Sequence, residues 1–313
     1  MSARKLLIPR RKFLAGSAAT LALSALARVP ALARAPSLPY VVIGDWGRNG
    51  ADDQREVGVQ LGKTAGKIGS RFTISAGDNF YEDGVADLVD PQWQSSFEAI
   101  YAAPSLMTPW HVILGNHDYR GDVEAQLGYG AISPRWRLPA RYYQRSEALG
   151  GGVGADYFYL DTSPFVTRYR GTKVKIDGQD TAAQVAWLDR ALGASKAAWK
   201  IVIGHHPIRT TTEGAEQNTP ELIGQVKPLL ERHGVHVYIN GHVHNQQHLA
   251  VDGVHYITSG AGSQTIAVPA GASGQFASAS HGFMSVDHSA DAFRFAFIDE
   301  AGKELYRAAI ARG

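Results

Sequence analysis

Five short clusters of polar residues each begin with glycine and each follow an apolar stretch of the chain. The clusters are Gly44-Asp45-Trp46-Gly47, Gly77-Asp78-Asn79-Phe80-Tyr81, Gly115-Asn116-His117-Asp118, Gly204-His205-His206-Pro207 and Gly241-His242-Val243-His244. Carboxylate, amide, phenol and imidazole donors without thiolate suit iron, zinc or manganese. The donors are too many for one ion, and a shared carboxylate holds two cations about 3.5–4 Å apart in two-metal phosphatases. The clusters therefore predict a dinuclear site that hydrolyses phosphate esters through a metal-bound hydroxide.

The elements that must position these clusters are the strands that precede them. Apolar runs at 40–43, 72–76 and 110–114 predict buried strands, and helical patterns at 53–68 and 92–102 lie between them. Further strands are predicted at 157–161, 199–203, 236–240, 246–251, 254–258, 283–287, 293–298 and 304–309, with helices at 181–193 and 219–232. Strands that first alternate with helices and later follow one another directly predict an α/β fold to which antiparallel strands are added. Such folds bind ligands at the carboxyl ends of their strands, where the five clusters stand.

In their order along the chain, the five clusters resemble those of the calcineurin-like metallophosphoesterase superfamily. More narrowly, they resemble those of small purple acid phosphatases of the tartrate-resistant type. The resemblance extends from Asp45 to the stretch Ser259-Gly260-Ala261-Gly262. It implies a four-layer αββα sandwich, in which two mixed β-sheets pack face to face between outer helices. A single catalytic domain is expected over residues 36–313.

Two positions favour the narrower subgroup. Most members of the superfamily begin with Asp-x-His, whose histidine binds the first metal, but Gly47 stands at that place here. Tyr81, three residues after Asp78, stands where purple acid phosphatases have an iron-binding tyrosinate. A phenolate is a hard anionic donor, so the resemblance implies Fe(III) at this site.

Carried over residue by residue, the resemblance implies two ligand sets that share Asp78. The Fe(III) site would have Asp45, Asp78, Tyr81 and His244 as ligands. The second site, for Fe(II), Zn(II) or Mn(II), would have Asp78, Asn116, His205 and His242.

Three further residues are candidates for catalytic roles. His117 is not a ligand in the family pattern, and it is expected to orient the phosphate or protonate the leaving oxygen. Asp118 is expected either to hold the ring of His117 or to be purely structural. His206 stands where mammalian relatives have tyrosine, and it is expected to line the active site and contact the substrate.

The first 35 residues predict a twin-arginine export signal. Arg10-Arg11-Lys12-Phe13-Leu14 opens an apolar run over 13–27, and small-residue cleavage patterns follow at 31–33 and 33–35. A run of about 15 residues is shorter than the roughly 20 that a membrane-spanning helix needs. We therefore expect a periplasmic or secreted protein, exported by the twin-arginine translocation machinery and without a stable membrane span. An uncleaved anchor and an ordinary Sec signal are the alternatives.

Charge and cysteine content narrow the remaining classes of function. The whole chain has a formal net charge of +2, but seven basic residues and no acidic ones lie within residues 1–35. Removing them changes the net charge to −5, so no nucleic-acid partner is expected. The chain has no cysteine, which excludes disulfides, thiolate metal sites and thiol nucleophiles.

The predicted function is that of an acid phosphatase acting on small phosphomonoesters. Two alternatives remain from the sequence. One is a phosphodiesterase of the same superfamily with two non-ferric metals, which would lack a visible absorption band dependent on Tyr81. The other is a non-catalytic periplasmic protein that binds metal or phosphate, which would have no need of His117 beside an open dinuclear site.

Overall fold

The computed structural model describes residues 36–212 and 219–312, and the fold given below refers to these residues. The predicted export signal at residues 1–35 lies outside them and stays a prediction, as does the division into leader and catalytic domain. Among the described residues, every helix is too short or too polar to cross a lipid bilayer.

Fourteen strands in the described residues form two seven-stranded sheets. In chain order they are β1 (Ser37–Ile43), β2 (Thr73–Ser75), β3 (Trp110–Val112), β4 (Trp136–Arg137), β5 (Tyr143–Gly150), β6 (Val153–Tyr159), β7 (Trp199–Ile203), β8 (Val237–Asn240), β9 (Gln246–Val251), β10 (Val254–Ser259), β11 (Phe276–Ser278), β12 (Gly282–Ser289), β13 (Ala292–Asp299) and β14 (Glu304–Ala311). The strand order is β14-β13-β12-β1-β2-β3-β4 in the first sheet and β11-β9-β10-β8-β7-β6-β5 in the second.

Both sheets are mixed. In the first sheet β1 to β4 are parallel, and β12 pairs antiparallel with β1 to begin the meander through β13 and β14. In the second sheet β6, β7, β8 and β10 are parallel, while β5, β9 and β11 are antiparallel to their neighbours. The parallel strands therefore extend from the middle of the first sheet to its edge at β4 and occupy the middle of the second sheet, and their carboxyl ends face the same edge.

Helices cover the outer faces of the two sheets. They are α1 (Gln54–Ile68), α2 (Val123–Gly128), α3 (Thr181–Ala194), α4 (Pro220–Gln225) and α5 (Lys227–Arg232). Along β1, Tyr40 and Val42 point into an apolar layer between the sheets, whereas Val41 and Ile43 pack in the layer beneath α1. A third apolar layer lies between the second sheet and α3, α4 and α5. Three apolar layers separate four structural ones, which confirms the αββα sandwich.

The helix predicted at 92–102 is replaced by a single π-helical turn over Trp93–Glu98. Arg135, which is buried, donates from Nη1 to the carbonyl oxygen of Tyr101 at 2.7 Å and from Nη2 to that of Phe97 at 3.4 Å. The carbonyl oxygen of Phe97 also accepts from the backbone N–H of Tyr101 at 3.0 Å, so Arg135 caps the carboxyl end of this short helical segment.

Other differences also have local causes. The helix predicted at 219–232 divides at Val226 into α4 and α5, because Pro228 lacks the N–H that a continuous helix requires. The strand predicted at 157–161 begins four residues earlier, at Val153. Three strands, β4, β5 and β11, were not predicted from the sequence. In β5 the exposed positions alternate with half-buried ones that include Arg145 and Glu147, so the strand has no apolar face to detect.

Candidate functional site

The five clusters come together where the parallel strands end. Asp45 follows β1, Asp78 follows β2 and Asn116 follows β3, while His205 follows β7 and His242 follows β8. Both sheets therefore contribute, and the site lies at their shared edge. Backbones approach closely there: a Cβ atom on Gly115 would lie 2.2 Å from Oδ1 of Asp78, so only glycine fits at that position.

Three of the clustered residues have left-handed backbone conformations although they are not glycine. The φ angles are 60° at Asp45, 48° at Asp78 and 67° at His242. Such angles are uncommon outside glycine and persist where the surrounding structure holds them. At Asp45 the carboxylate contributes to this restraint by accepting from the backbone N–H of His242 at 3.0 and 3.1 Å.

The first group of side chains surrounds the phenol of Tyr81. Its Oη lies 3.1 Å from Oδ1 of Asp45, 3.1 Å from Oδ2 of Asp78 and 3.0 Å from Nε2 of His244. Nε2 of His244 also lies 3.5 Å from Oδ1 of Asp45. Tyr81 is only 5% exposed and both carboxylates are buried, so water cannot separate the four groups.

The Tyr81 phenol and the three groups around it have more lone pairs than hydrogens that could form hydrogen bonds with them. A phenol has one hydrogen to donate, and it can serve only one of its three neighbours. Burial and the carboxylates of Asp45 and Asp78 raise the pKa of Tyr81 well above its usual value. A phenolate therefore forms here only if a further positive charge is present, and a bound cation would supply that charge and occupy the surplus electron pairs.

The second group contains His205, Asn116 and His242. His205 donates from Nδ1 to the carbonyl oxygen of Ala76 at 2.8 Å, which leaves Nε2 facing Oδ2 of Asp78 at 3.4 Å. Nε2 of His205 and Oδ1 of Asn116 are both buried without a hydrogen-bond partner among the described residues. Unpaired buried polar atoms are uncommon in native proteins, and two of them beside Asp78 suit a second cation.

The structure also brings His206 to this group. Ring nitrogens of His205, His206 and His242 lie within 4.8 Å of one another, as do ligand atoms of Asp45, Asp78 and His244. The hydroxyl of Thr162 accepts from the backbone N–H groups of His205 and His206, so its own hydrogen is donated to Nδ1 of His206, at 2.9 Å. Nε2 of His206 then has the ring proton and donates to Oη of Tyr169 at 3.1 Å. Both nitrogens of His206 are thus engaged, unlike those of His205.

His117 lies beside both groups and reaches the surface, with 15% of its side chain exposed. Its Nδ1 lies 2.6 Å from the carbonyl oxygen of Glu82 and 2.9 Å from Nη1 of Arg120, which also donates to that oxygen at 3.1 Å. Nε2 is left facing Oδ2 of Asp78 at 4.0 Å. Burial lowers the pKa of His117, and the Asp78 carboxylate opposes that effect. This histidine can therefore hold or release a proton at Nε2.

Asp118 does not hold the ring of His117, which corrects one of the two expectations for it. Its carboxylate accepts from the backbone N–H of Gly115 at 2.8 Å, from Nε2 of Gln126 at 2.8 Å and from the backbone and side-chain N–H groups of Asn79 at 3.0 Å. Burial, with the nearby charge of Asp78, raises the pKa of Asp118 to about 7. Asp118 therefore connects the loops of the second and third clusters to α2. This is the purely structural role that was the second expectation for it.

The carboxylate of Asp78 and the imidazole of His205 form the main pair of opposite charges within the site. Burial alone would raise the pKa of Asp78, but His205, together with His117 and His242, holds it well below its usual value. Burial alone would lower the pKa of His205, but the Asp78 carboxylate outweighs this effect and raises the pKa to about 9. The pKa of His242 is well below its usual value because of burial and the neighbouring His205. A neutral imidazole is the form that binds a metal ion.

Four residues of the site were missed by sequence reasoning. Thr162 and Tyr169 hold His206, Glu82 holds His117, and the guanidinium of Arg48 stacks on the ring of Tyr81 at 3.8 Å from its centroid. Arg48 and Glu82 directly follow predicted clusters in the sequence, and this adjacency could have identified them as residues of the site. Thr162 and Tyr169 lie about forty residues before His206, and no local pattern marks them.

Comparison with known proteins agrees with this geometry. The calcineurin-like phosphoesterase family matches residues 38–246. The chain is 37% identical to purple acid phosphatase 7 of Arabidopsis thaliana, over 88% of this chain and 87% of that protein. It is 33% identical to tartrate-resistant acid phosphatase type 5 of Mus musculus, over 88% and 91%.

Solved structures show the same fold. A purple acid phosphatase from yellow lupin (Lupinus luteus) seeds superposes with a TM-score of 0.64 at 16% identity, over 89% of this chain and 54% of that one. GAP50, the anchor in the inner membrane complex of Plasmodium, superposes with a TM-score of 0.79 at 23% identity, over 89% and 90%. At these identities the two superpositions establish architecture alone.

Proposed function

The chain belongs to the calcineurin-like phosphoesterase family and is a dinuclear-metal hydrolase of phosphoric esters, and on this basis we propose that it is an acid phosphatase for phosphomonoesters with Fe(III) at the Tyr81 site. The observation that carries the proposal is the position of the Tyr81 hydroxyl between Asp45, Asp78 and His244 at 3.0–3.1 Å. A phenolate at the centre of two carboxylates and an imidazole is a hard donor set, which favours a trivalent ion.

The residues present fit two cations that share one carboxylate. Asp45, Asp78, Tyr81 and His244 would hold the first, and Asp78, Asn116, His205 and His242 would hold the second, which is Fe(II), Zn(II) or Mn(II). When bound, such a pair of cations polarises the phosphate oxygens and activates the attacking water. His206 is not among the proposed ligands, because its Nε2–H is directed at Tyr169.

The side chains around the cations would bind and orient the phosphate ester. His117 faces the site with Nε2 while Glu82 and Arg120 hold the other ring nitrogen, so its protonated form would donate from Nε2 to the leaving alcohol. His206, held by Thr162 and Tyr169, would contact the ester from the side of the second sheet. Three catalytic roles were expected, and we retain those of His117 and His206.

Visible spectroscopy and hydrolysis measured on one purified sample test this function. We expect the oxidised holoenzyme to contain two metal ions, one of them iron, and to show a visible charge-transfer band. Tyr81→Phe should lose that band. Tyr169→Phe is the matched control, since it removes a phenol from the same site but from outside the carboxylate cluster, and it should keep the band.

Hydrolysis separates the proposal from its alternatives. We expect a phosphomonoester to be cleaved faster than a diester of the same alcohol, and Asp78→Ala to abolish both activities because the shared carboxylate is lost. A colourless oxidised protein would reject the Fe(III) proposal. A faster diester reaction would identify a phosphodiesterase, and full activity in Asp78→Ala would contradict the dinuclear mechanism.

We also propose that the protein is exported by the twin-arginine machinery to the periplasm or beyond. The support is the sequence alone: a paired arginine, a short apolar run and small-residue cleavage patterns within residues 1–35. A double variant Arg10→Lys, Arg11→Lys should retain the enzyme in the cytoplasm when cell fractions are assayed for phosphatase. Unchanged export of this variant would indicate a Sec signal.

A further inference from the structure

A cavity of about 560 Å³ lies where the edge strands of the two sheets, β4 and β5, come together. This volume is within the range of sites that hold small organic ligands. None of the residues that line it belongs to the candidate metal site. Tyr143 of β5 donates from its hydroxyl to the carbonyl oxygen of Val112 in β3 at 2.9 Å, which ties the second sheet to the first beside the cavity.

The polar side of the cavity has unpaired hydrogen-bonding groups. Nε2 of His111 is buried without a partner among the described residues, and His111 is only 8% exposed. Nη1 of Arg145 is likewise buried without a partner, although Nη2 of the same residue pairs with Glu147. Two unpaired groups that line one cavity indicate a ligand with acceptor atoms, since native proteins rarely leave such groups unpaired.

The charge of the lining is positive. Arg137 and Arg145 both line the cavity, and no acidic residue does so in the described part of the chain. Because Glu147 balances Arg145, the net charge at the cavity is that of Arg137. Burial, together with these two arginines, lowers the pKa of His111 to about 3, so its imidazole is neutral. One excess positive charge matches a monoanion.

The remaining lining is apolar. Leu127 is half-buried and Ala131 and Pro139 are exposed among the lining residues, so they form the accessible apolar surface of the cavity. An apolar wall opposite charged donors is typical of sites for amphipathic organic molecules. Inorganic phosphate would leave this wall uncovered.

We propose that this cavity binds a small organic monoanion with an aromatic body, whose anionic group lies among Arg137, Arg145 and His111. A carboxylate can accept from a guanidinium and from a neutral imidazole N–H at the same time. The aromatic body then covers Leu127, Ala131 and Pro139.

Isothermal titration of the metal-loaded mature protein with 1-naphthoate tests the proposal. We expect saturable 1:1 binding with a Kd below about 1 mM, and binding of the neutral analogue 1-naphthylmethanol at least about tenfold weaker. Arg137→Gln should weaken naphthoate binding by about tenfold, because a charge-assisted hydrogen bond is lost. Arg190→Gln, which changes an exposed arginine on α3, is the matched control and should bind as the wild type does.

A blocking variant locates the site. Ala131 is exposed and lines the cavity, so Ala131→Trp should fill it and abolish naphthoate binding while phosphatase activity is retained. Naphthoate binding that persists in Ala131→Trp would place the carboxylate elsewhere, for example at the metal ions, and would overturn the proposal. Absence of binding to the wild type, or equal affinity for the alcohol, would overturn it as well.

Discussion

His206 shows how a side chain can be close to metal ligands without being one. Its two ring nitrogens are held by Thr162 at 2.9 Å and by Tyr169 at 3.1 Å, and the direction of the first hydrogen bond fixes the position of the proton. Distance alone groups it with His205 and His242. The hydrogen bonds separate His206 from His205, because Nε2 of His205 has no hydrogen-bond partner among the described residues and faces Oδ2 of Asp78 at 3.4 Å.

Removal of the Tyr169 hydroxyl should therefore affect substrate binding. Tyr169→Phe deletes one hydrogen bond to His206, worth about 1 kcal/mol, so KM for a monoester should rise about fivefold with little change in kcat. Tyr142→Phe is the control and should leave both constants unchanged, because Tyr142 is half-buried and its ring packs at a tilt against Trp187. A fall in kcat at constant KM would show instead that His206 acts only in the transition state.

At the scale of elements, Asp118 connects three of them. It accepts from Gly115 in the third cluster, from Asn79 in the second and from Gln126 in α2. Asp118→Ala should lower the free energy of unfolding by about 3 kcal/mol, because several buried donors lose their acceptor. Asp118→Asn keeps one acceptor oxygen and should be destabilised less. Urea unfolding followed by circular dichroism measures both, and equal stability of the alanine variant and the wild type would contradict this role.

Gly47 explains why the first loop has no histidine ligand. A Cβ atom at this position would lie 1.8 Å from the backbone oxygen of Asn79, so the first and second loops can meet only if residue 47 is glycine. The close approach also lets the backbone N–H of Tyr81 donate to the carbonyl oxygen of Gly47 at 2.8 Å. The close contact between the first and second loops therefore explains both why position 47 has no histidine and why Tyr81 lies where it does.

A methyl group at position 47 should separate these loops. We expect Gly47→Ala to lose about 2 kcal/mol of stability through overpacking and to bind less iron, as measured by urea unfolding and metal analysis. Gly224→Ala in α4 is the control, since a Cβ there has nothing within 4 Å, and it should be neutral or slightly stabilising. Normal iron content in Gly47→Ala would show that the loops can move apart without harm.

The sequence predicts the elements that have one strong apolar pattern. The buried strands β1, β7 and β10 agree with their predicted positions to within three residues, because continuous apolar runs have few alternatives. The two-residue β4 and the polar β5 have no such signal, and they form because a sheet already exists to pair with. Contacts between loops that are far apart in the sequence, such as that of Tyr169 with His206, depend on how the elements pack and have no sequence signature.

At the scale of the whole molecule, acid should weaken the fold through buried neutral histidines. Burial lowers the pKa of His288 to about 3, and the residue is fully buried among Tyr157, Trp199 and Phe293. The unfolded chain takes up a proton below about pH 6.5 while the folded chain does not, so stability is complete above that pH and falls as pH decreases towards 3. The loss is about 1.4 kcal/mol per pH unit for each such histidine.

Comparison of the wild type with His288→Gln isolates this contribution. Between pH 7 and pH 5 the free energy of unfolding of the variant should fall less steeply, since glutamine has no proton to gain, while the dependence on urea concentration stays the same. Parallel curves for the two proteins would mean that His288 is protonated in the folded state or that the buried site opens in acid.

The proposed ligands come from both sheets: Asp45, Asp78 and Asn116 from the first, and His205, His242 and His244 from the second. Cations held by them would cross-link two halves of the protein that otherwise meet through apolar side chains and hydrogen bonds such as those of His242 with Asp45 and Tyr143 with Val112. Unfolding would then have to release the ions, so a free metal concentration 100 times its Kd would add about 2.7 kcal/mol to stability. Resistance to heat and proteases would follow the metal supply of the surroundings, and chelation would shorten the lifetime of the enzyme as well as stop its reaction.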